Sequence, residues 1–383
     1  NYVDLRFAAD FAFRIEAELT SDELVLRVRS KRTIAPSTRP SAMPPVRDAR
    51  AVARGCLTCD QTSCFRHRPK PQLTAGRTAL LLNDWQPELA RWLDHVEADA
   101  DWMLPWVRPA HRERSWHAPP RAHVKFARWS SWKRIVRRRL MGGEGGRRQV
   151  VRTSLAEDLA RCYARRLQPE HTNLILTQDL LVPLLRLGVL GGRAFDVYVP
   201  ELPASEIQAR LDAAAAENPD AASLTDFRVD VGWQRDEWQA LARAGRLLTA
   251  HHEVYRVLKA AGMFVELLPW QEPPSPPPAA RSQKRQPTMT LAGSALARKG
   301  ACEVAAVAKS LGAKVQILGS PPSDPKAWEG VDWVAVGYSA DWLSNSDVVL
   351  LPAHIEHQPR ALLRALGAGV PVVASAACGL GVR

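Results

Sequence analysis

The sequence predicts an α/β fold of two Rossmann-like domains behind an irregular N-terminal extension, and three observations carry that prediction. Strand-like and helix-like apolar patterns alternate from about residue 76 onward, which argues for parallel sheets covered by helices. The stretch 273–286 holds Pro273-Pro274 and Pro276-Pro277-Pro278 before Arg281-Ser282-Gln283-Lys284-Arg285, a composition that buries no core and reads as a stiff linker. Beyond it the alternation begins afresh. The organisation expected is an extension over 1–75, a first α/β domain over 76–270, a linker over 271–287 and a second α/β domain over 288–383.

In the extension, Leu24-Val25-Leu26-Arg27-Val28 alternates weakly and a Pro- and Arg-rich stretch follows over 35–46; neither points to a function. Thr78-Ala79-Leu80-Leu81-Leu82 reads as a buried strand ended by Asn83-Asp84, and Pro87 opens a helix to about Val96. Ser154 with Glu157 forms a capping box for a helix over 155–167. Asn173-Leu174-Ile175-Leu176-Thr177 is an apolar strand, followed by an apolar helix or loop that ends at Gly188. Then come a strand over 195–199, helices over 205–217 and 237–244, a strand over 246–249, a helix over 253–261 and a strand over 263–268 closed by Pro269. After the linker, a strand over 288–292 runs into Gly293, and a helix over 298–311 stops at Gly312. Strands over 314–318 and 333–336, a short helix over 341–344, a strand over 347–351 ended by Pro352, a helix over 359–366 and a strand over 370–375 complete the chain. Two such halves joined by a linker are expected to face each other across a cleft at the carboxyl ends of their strands.

Length and composition bound the function. With 383 residues, two cores are expected; 46% hydrophobic and 24% charged residues exclude a mainly disordered chain. No run approaches 18 apolar residues, and the start Asn1-Tyr2-Val3-Asp4 lacks the layout of a signal peptide, so a transmembrane or exported protein is not expected. The missing initiator Met, and an end at Gly381-Val382-Arg383 just past a strand-like run, read as a fragment or processed chain with a truncated second domain.

The formal net charge is +12, and its location matters more than its size. Residues 108–152 hold 14 Lys and Arg against Glu113 and Glu144, while the rest of the chain balances 38 basic with 38 acidic side chains. The excess is therefore one local basic insertion. Within it, Phe126, Trp129, Trp132, Val136 and Leu140 recur at helical spacing among Lys and Arg, and Gly142-Gly143 ends the run. An amphipathic basic helix over 125–140 suits an anionic membrane surface or an anionic acceptor; a helix packed on its own domain with solvated arginines is the alternative. Nucleic acid is not expected as a partner, since no nucleic-acid fold signature accompanies the patch.

Cys56, Cys59, Cys64 and His67 fall in the pattern C-x2-C-x4-C-x2-H, three thiolates and an imidazole within 12 residues. That set suits a tetrahedral structural zinc, with unliganded thiols or a cluster site as alternatives. Cys162, Cys302 and Cys378 stand alone in apolar surroundings and read as small core residues.

The segment Ser346-Asp347-Val348-Val349-Leu350-Leu351-Pro352-Ala353-His354-Ile355-Glu356-His357-Gln358-Pro359 resembles the donor-binding region of retaining, family 4-like glycosyltransferases of the GT-B fold. There a strand S-D-V-x-x-L-P-S precedes E-G-x-P, a helix L-L-E-A-M-A-x-G and then P-V-V-A. Here Ala361-Leu362-Leu363-Arg364-Ala365-Leu366-Gly367-Ala368-Gly369 and Val370-Pro371-Val372-Val373-Ala374 follow in register. Leu291-Ala292-Gly293-Ser294-Ala295-Leu296-Ala297-Arg298-Lys299-Gly300 resembles the family's G-R-L-x-x-x-K-G, and the likeness spans roughly 173–381.

The resemblance implies an enzyme that moves a sugar from a nucleotide-sugar donor with retention, without a cofactor or catalytic metal; the lack of a signal-peptide layout and the basic segment 125–140 point to a cytoplasmic location, peripheral at the inner face of a membrane. It places Lys299 on the donor phosphates, Gly293 and residues His357, Gln358, Pro359, Arg360 and Ala361 around the diphosphate, and Glu356 beside the donor sugar as the catalytic-site carboxylate. Two positions depart from the family pattern. Ser294 replaces an Arg and removes a bidentate phosphate fork; Arg364 replaces the second Glu and can contact phosphate instead. His251, His252, Gln178 and Asp179 follow strands and are expected at the cleft, where they would meet donor or acceptor; a surface His pair is the alternative. A degenerate GT-B-like binding protein is the competing reading of the whole chain, and a zinc- and nucleic-acid-binding protein is a third.

Overall fold

The computed structural model describes residues 2–3, 13–19, 24–30, 76–94, 100–105, 115–120, 122–127, 146–271, 287–338 and 342–381. Strands β1 (Tyr2–Val3), β2 (Phe13–Leu19) and β3 (Leu24–Ser30) form an antiparallel sheet in that order, with Phe13 opposite Ser30 and Leu19 opposite Leu24. The weak alternation at 24–28 is thus part of a paired strand. The Cys56, Cys59, Cys64 and His67 cluster lies outside the described residues, as do 128–145 of the basic insertion and 272–286 of the Pro-rich stretch.

Beyond that meander the described residues group into two units, 76–205 with 226–271, and 206–225 with 287–381. The first is built on seven parallel strands: β4 (Arg77–Leu81), β5 (Asp101–Pro105), β6 (His123–Ala127), β7 (His171–Thr177), β8 (Ala194–Tyr198), β9 (Arg246–Thr249) and β10 (Val265–Leu267). Their spatial order is β10-β9-β8-β7-β4-β5-β6, so the chain winds outward from β4 to β6 and then returns beside β4 to wind the other way. Helices α1 (Pro87–Leu93), α2 (Gly146–Ala164), α3 (Gln178–Arg186), α5 (Val231–Arg243) and α6 (His252–Ala260) supply the connections; α4 (Ala204–Glu217) leaves β8 and from Glu206 onward belongs with the second unit. Parallel strands covered on both faces need continuous apolar runs, and Leu80, Leu81, Leu174 and Leu176 are at most 1% exposed. Burying each contributes ~2 kcal/mol.

The structure departs from the sequence pattern at four elements. Residues 123–127 form strand β6 rather than the start of a helix over 125–140, because β5 offers an unpaired edge that accepts Val124 beside Trp102 and Phe126 beside Leu104. Tertiary pairing overrides the helical spacing, and Phe126 is 43% exposed on this edge strand. Helix α2 starts at Gly146, so the Ser154 and Glu157 box lies inside it; Arg147, Arg148 and Gln149 are good helix formers and carry the helix upstream. Helix α5 begins at Val231 rather than 237, because the Asp230 carboxylate caps it by accepting from the Trp233 amide at 2.8 Å. No regular helix covers the described part of 341–344; a turn there buries Trp342 instead.

The second unit is a sheet of five parallel strands: β11 (Thr288–Leu291), β12 (Lys314–Ile317), β13 (Trp333–Ala335), β14 (Val348–Leu351) and β15 (Val372–Ala374), ordered β13-β12-β11-β14-β15. Helices α7 (Ala301–Leu311) and α8 (Arg360–Gly367) pack on it, and Leu291, Val315, Ile317, Val349, Leu362 and Ala365 form its fully buried centre. Two buried hydroxyls are paired: those of Thr290 and Ser346 lie 2.6 Å apart, and Ser346 donates to the Trp342 carbonyl. The strand order reverses between β11 and β14, the topological switch point of this sheet. Among the described residues no helix is long and apolar enough to cross a membrane.

Candidate functional site

The loops leaving β11 and β14 meet at this switch point. Leu291 pairs with Leu350 in parallel register, so both chains emerge at the same level on the carboxyl edge. After β11 the chain passes Gly293 and Ser294 and makes a 3₁₀ turn, Ala297–Lys299. Gly300 follows with φ +77°, and the carbonyl of Pro352 packs where a β-carbon would stand. The His354 amide donates to the Arg298 carbonyl at 3.1 Å, tying the two loops together. The Arg298 amide donates at 3.2 Å to the hydroxyl of Ser223, in the 3₁₀ turn Ala222–Thr225 that follows α4. A segment inserted between β8 and α5 thus braces the loop that carries Lys299.

A pocket opens between these loops and the start of α8. Gly293, Ser294, Lys299, Glu356, Gln358, Pro359, Arg360 and Ala361 line it, with Arg298 and Tyr338. His357 contributes to the site through its amide, and Arg364, one turn into α8, is not among the lining residues. The Lys299 ammonium lies 2.6 Å from Glu356 Oε2. Glu356 Oε1 accepts from the amides of His357 at 2.8 Å and Gln358 at 2.9 Å. Two amides expected to face a diphosphate therefore already hold a carboxylate. Pro359 caps α8, so the first-turn amides of Ala361 and Leu362 have no carbonyl one turn earlier in the helix and are available to an anion.

Burial alone would raise the Glu356 pKa, but Lys299, the Gln358 amide and His357 hold it down to about 2. Burial, and to a smaller extent the Glu356 charge, raises its neighbours: Tyr338 is pushed upward and the Cys378 thiol to about 12. Cys378 is fully buried and donates to the Leu351 carbonyl, so its place is the core. The Ser294 hydroxyl accepts from the Ser320 amide at 3.0 Å and fixes the loop geometry rather than presenting a cation.

The other candidate residues lie in the first unit. Gln178 and Asp179 follow β7 beside Asn83, which follows β4, at the switch point of the seven-stranded sheet. Asn83 donates to Asp179, whose pKa is raised by burial and by Asp84 nearby. Gln178 is buried and donates to Glu237 at 3.0 Å, and the other Glu237 oxygen accepts from the Ala204 amide at 2.7 Å. Burial lifts Glu237 to about 7. Arg152 reaches Glu201 with both terminal guanidinium nitrogens, at 3.3 and 3.4 Å. His251 is 1% exposed. Its ring accepts from the Val254 amide as the N-cap of α6 and packs edge-to-face on Trp270 at 6.1 Å. His252 is the first residue of α6 and half-buried. Sequence reasoning missed Tyr338 and Arg298 as pocket residues, and Glu237 altogether. An aromatic just past a strand end was the available signal for Tyr338. Among the described residues no group of His, Cys, Asp or Glu is arranged to hold a metal ion.

The chain is similar to solved structures in its fold. The sucrose-phosphate synthase of Thermosynechococcus elongatus is similar over 80% of this chain and 82% of its own, with a TM-score of 0.50 and 14% identity. The fold is GT-B. The catalytic domain of starch synthase IV from Arabidopsis thaliana, bound to ADP and acarbose, is similar over 79% of this chain and 83% of that domain, with a TM-score of 0.46 and 10% identity. At such identities the likeness extends to the GT-B fold and no further. No family model matches the chain, and no curated protein does.

Proposed function

We propose that this protein transfers a glycosyl group from a nucleotide-sugar donor, with the donor diphosphate bound between Lys299 and the first turn of α8. The observation that carries the reading is the pocket at the β11/β14 switch point. It joins a cation, helix-start amides and a carboxylate on one wall, the groups a phosphorylated sugar requires. Lys299 and the amides of Ala361 and Leu362 stabilise the negative charge that develops on the departing diphosphate. Glu356 accepts hydrogen bonds from the sugar hydroxyls and orients the ring. No residue here needs to act as a covalent nucleophile, which agrees with the retaining chemistry implied by the resemblance. Arg364 and His357 belong to the margin of this site, and Gln178, Asp179, His251 and His252 to the acceptor side in the same reading. The basic insertion 108–152 brings the enzyme to an anionic surface or acceptor, on the strength of its charge alone. The Cys56, Cys59, Cys64 and His67 set suits a structural zinc by its spacing.

One observation favours a second reading, a protein that binds nucleotide sugars without transferring them: the position of the family's phosphate-fork Arg holds Ser294, whose hydroxyl is engaged within the loop. Thermal-shift titration with UDP, ADP and GDP, and with their glucose conjugates, tests donor binding. Ligand at a hundred times Kd stabilises by ~2.7 kcal/mol, about 10 °C for a unit of this size, and Lys299→Ala abolishes the shift. No shift in the wild type refutes both readings. A shift without transfer or hydrolysis of any bound conjugate selects the second.

A further inference from the structure

We propose that Glu356 is a specificity-determining residue: its carboxylate competes with the ligand's phosphate for Lys299, so that the pocket favours sugar-bearing over sugar-free diphosphates. This rests on the donor-site reading above and concerns which ligand that site prefers. Glu356 occupies the pocket as an internal anion. Oε2 is 2.6 Å from the Lys299 ammonium, and Oε1 accepts from two amides, His357 and Gln358, at the approach to α8. The two side chains are only 16% and 12% exposed, so water compensates little for any loss of the pair.

A ligand phosphate that takes Lys299 removes a cation from a buried carboxylate and leaves it beside new negative charge. Like charges a few ångströms apart in a half-buried site repel strongly. A free nucleoside diphosphate offers nothing in return. A nucleotide sugar brings hydroxyl donors next to its phosphates, and these hydrogen-bond the carboxylate that has lost Lys299. Binding is then an exchange in which Lys299 passes from carboxylate to phosphate, and the carboxylate passes from ammonium to sugar hydroxyls. The two backbone amides hold Glu356 in place throughout. After transfer, the bound product is the sugar-free diphosphate, the species this arrangement holds least well, so the same residue hastens product release.

The test is calorimetric titration of UDP, ADP and GDP and of the glucose conjugate of each, with the full chain as wild type, Glu356→Gln and Lys299→Ala. Wild type is expected to bind one conjugate at least tenfold tighter than its free diphosphate. Glu356→Gln, which keeps the amide-accepting oxygen and removes the charge, is expected to bind the free diphosphate about tenfold tighter than wild type and to lose the preference. Inhibition of turnover by the free diphosphate should strengthen by the same factor. A purely structural role for Glu356 would weaken both ligands equally in Glu356→Gln, and that result overturns the proposal. A wild-type preference for the free diphosphate also overturns it, whether or not the variant folds. If no nucleotide binds the wild type, or binding is equal in Lys299→Ala, the donor-site reading itself fails and takes this inference with it.

Discussion

At Gly300 a single hydrogen in place of a side chain decides whether the pocket closes. Its φ of +77° belongs to the left-handed region, and an added β-carbon would meet the Pro352 carbonyl. The glycine is therefore needed twice, for conformation and for the approach of the β14 loop. Gly300→Ala is expected to destabilise the second unit by about 1–3 kcal/mol. It should also weaken nucleotide binding, because Lys299 is the residue before it. Denaturation and nucleotide titration of the variant check this; unchanged values in both would remove the argument. This glycine, Lys299 and Glu356 were legible in the sequence because each stands at a fixed distance from a strand end, where a motif keeps its meaning. The Lys299–Glu356 pair was not legible. Its partners are 57 positions apart, and only the β11/β14 pairing brings their loops together. Tyr338 and Arg298 escaped for the same reason, since lining a pocket is a property of packing and leaves no periodicity.

Among the elements, the strands of the second unit were the most legible. β14 is a short apolar run ended by Pro352, as burial on both faces of a parallel sheet favours, and β11 and β12 alternate polar with apolar residues before running into Gly293 and Gly319. Leu291 on β11 is 0% exposed at the centre of this sheet. Leu291→Ala is expected to cost about 2–5 kcal/mol and to lower the urea midpoint of the second unit without changing its slope. A shift below 1 kcal/mol would mean that the site collapses around the change. β6 and α2 were misread because an edge strand needs only a partner, and a capping-box pattern also occurs inside helices. The grouping of 206–225 with the second unit was hidden for a different reason. Its apolar spacing is that of any amphipathic helix, and such spacing does not say which sheet the helix covers. The contact from Ser223 to Arg298 shows the consequence: a segment from the middle of the chain supports the loop that carries Lys299.

At the scale of the whole molecule, alternation and the Pro-rich break were enough to foresee two α/β units, since both are averages over many residues, while the GT-B fold was foreseen from the motif resemblance over 291–300 and 346–374. The ionisation behaviour of the two units was out of reach, because it depends on where single carboxylates are buried. In the second unit Glu356 is held at about 2 against an ordinary value of 4.5. Its pairing therefore stabilises that unit above pH 4.5, and the contribution fades as pH falls toward 2. In the first unit Glu237 is lifted from 4.5 to about 7 by burial. Between these values the folded unit keeps a proton that the unfolded chain has released, so raising the pH favours unfolding. The loss amounts to about 3 kcal/mol by pH 7. The two units should thus respond to pH in opposite directions, the first weakening from pH 5 to 8 and the second weakening only below pH 4.5. Hydrogen exchange in peptides over 171–186, corrected for the intrinsic rate, reads the first unit directly. Protection is expected to fall between pH 5 and 8 in the wild type and to stay level in Glu237→Gln, even if that variant starts lower through its altered contacts with Gln178 and Ala204. Protection that stays level in the wild type would show that the Glu237 carboxylate is stabilised as an anion by its two N–H donors, and that burial does not decide its charge.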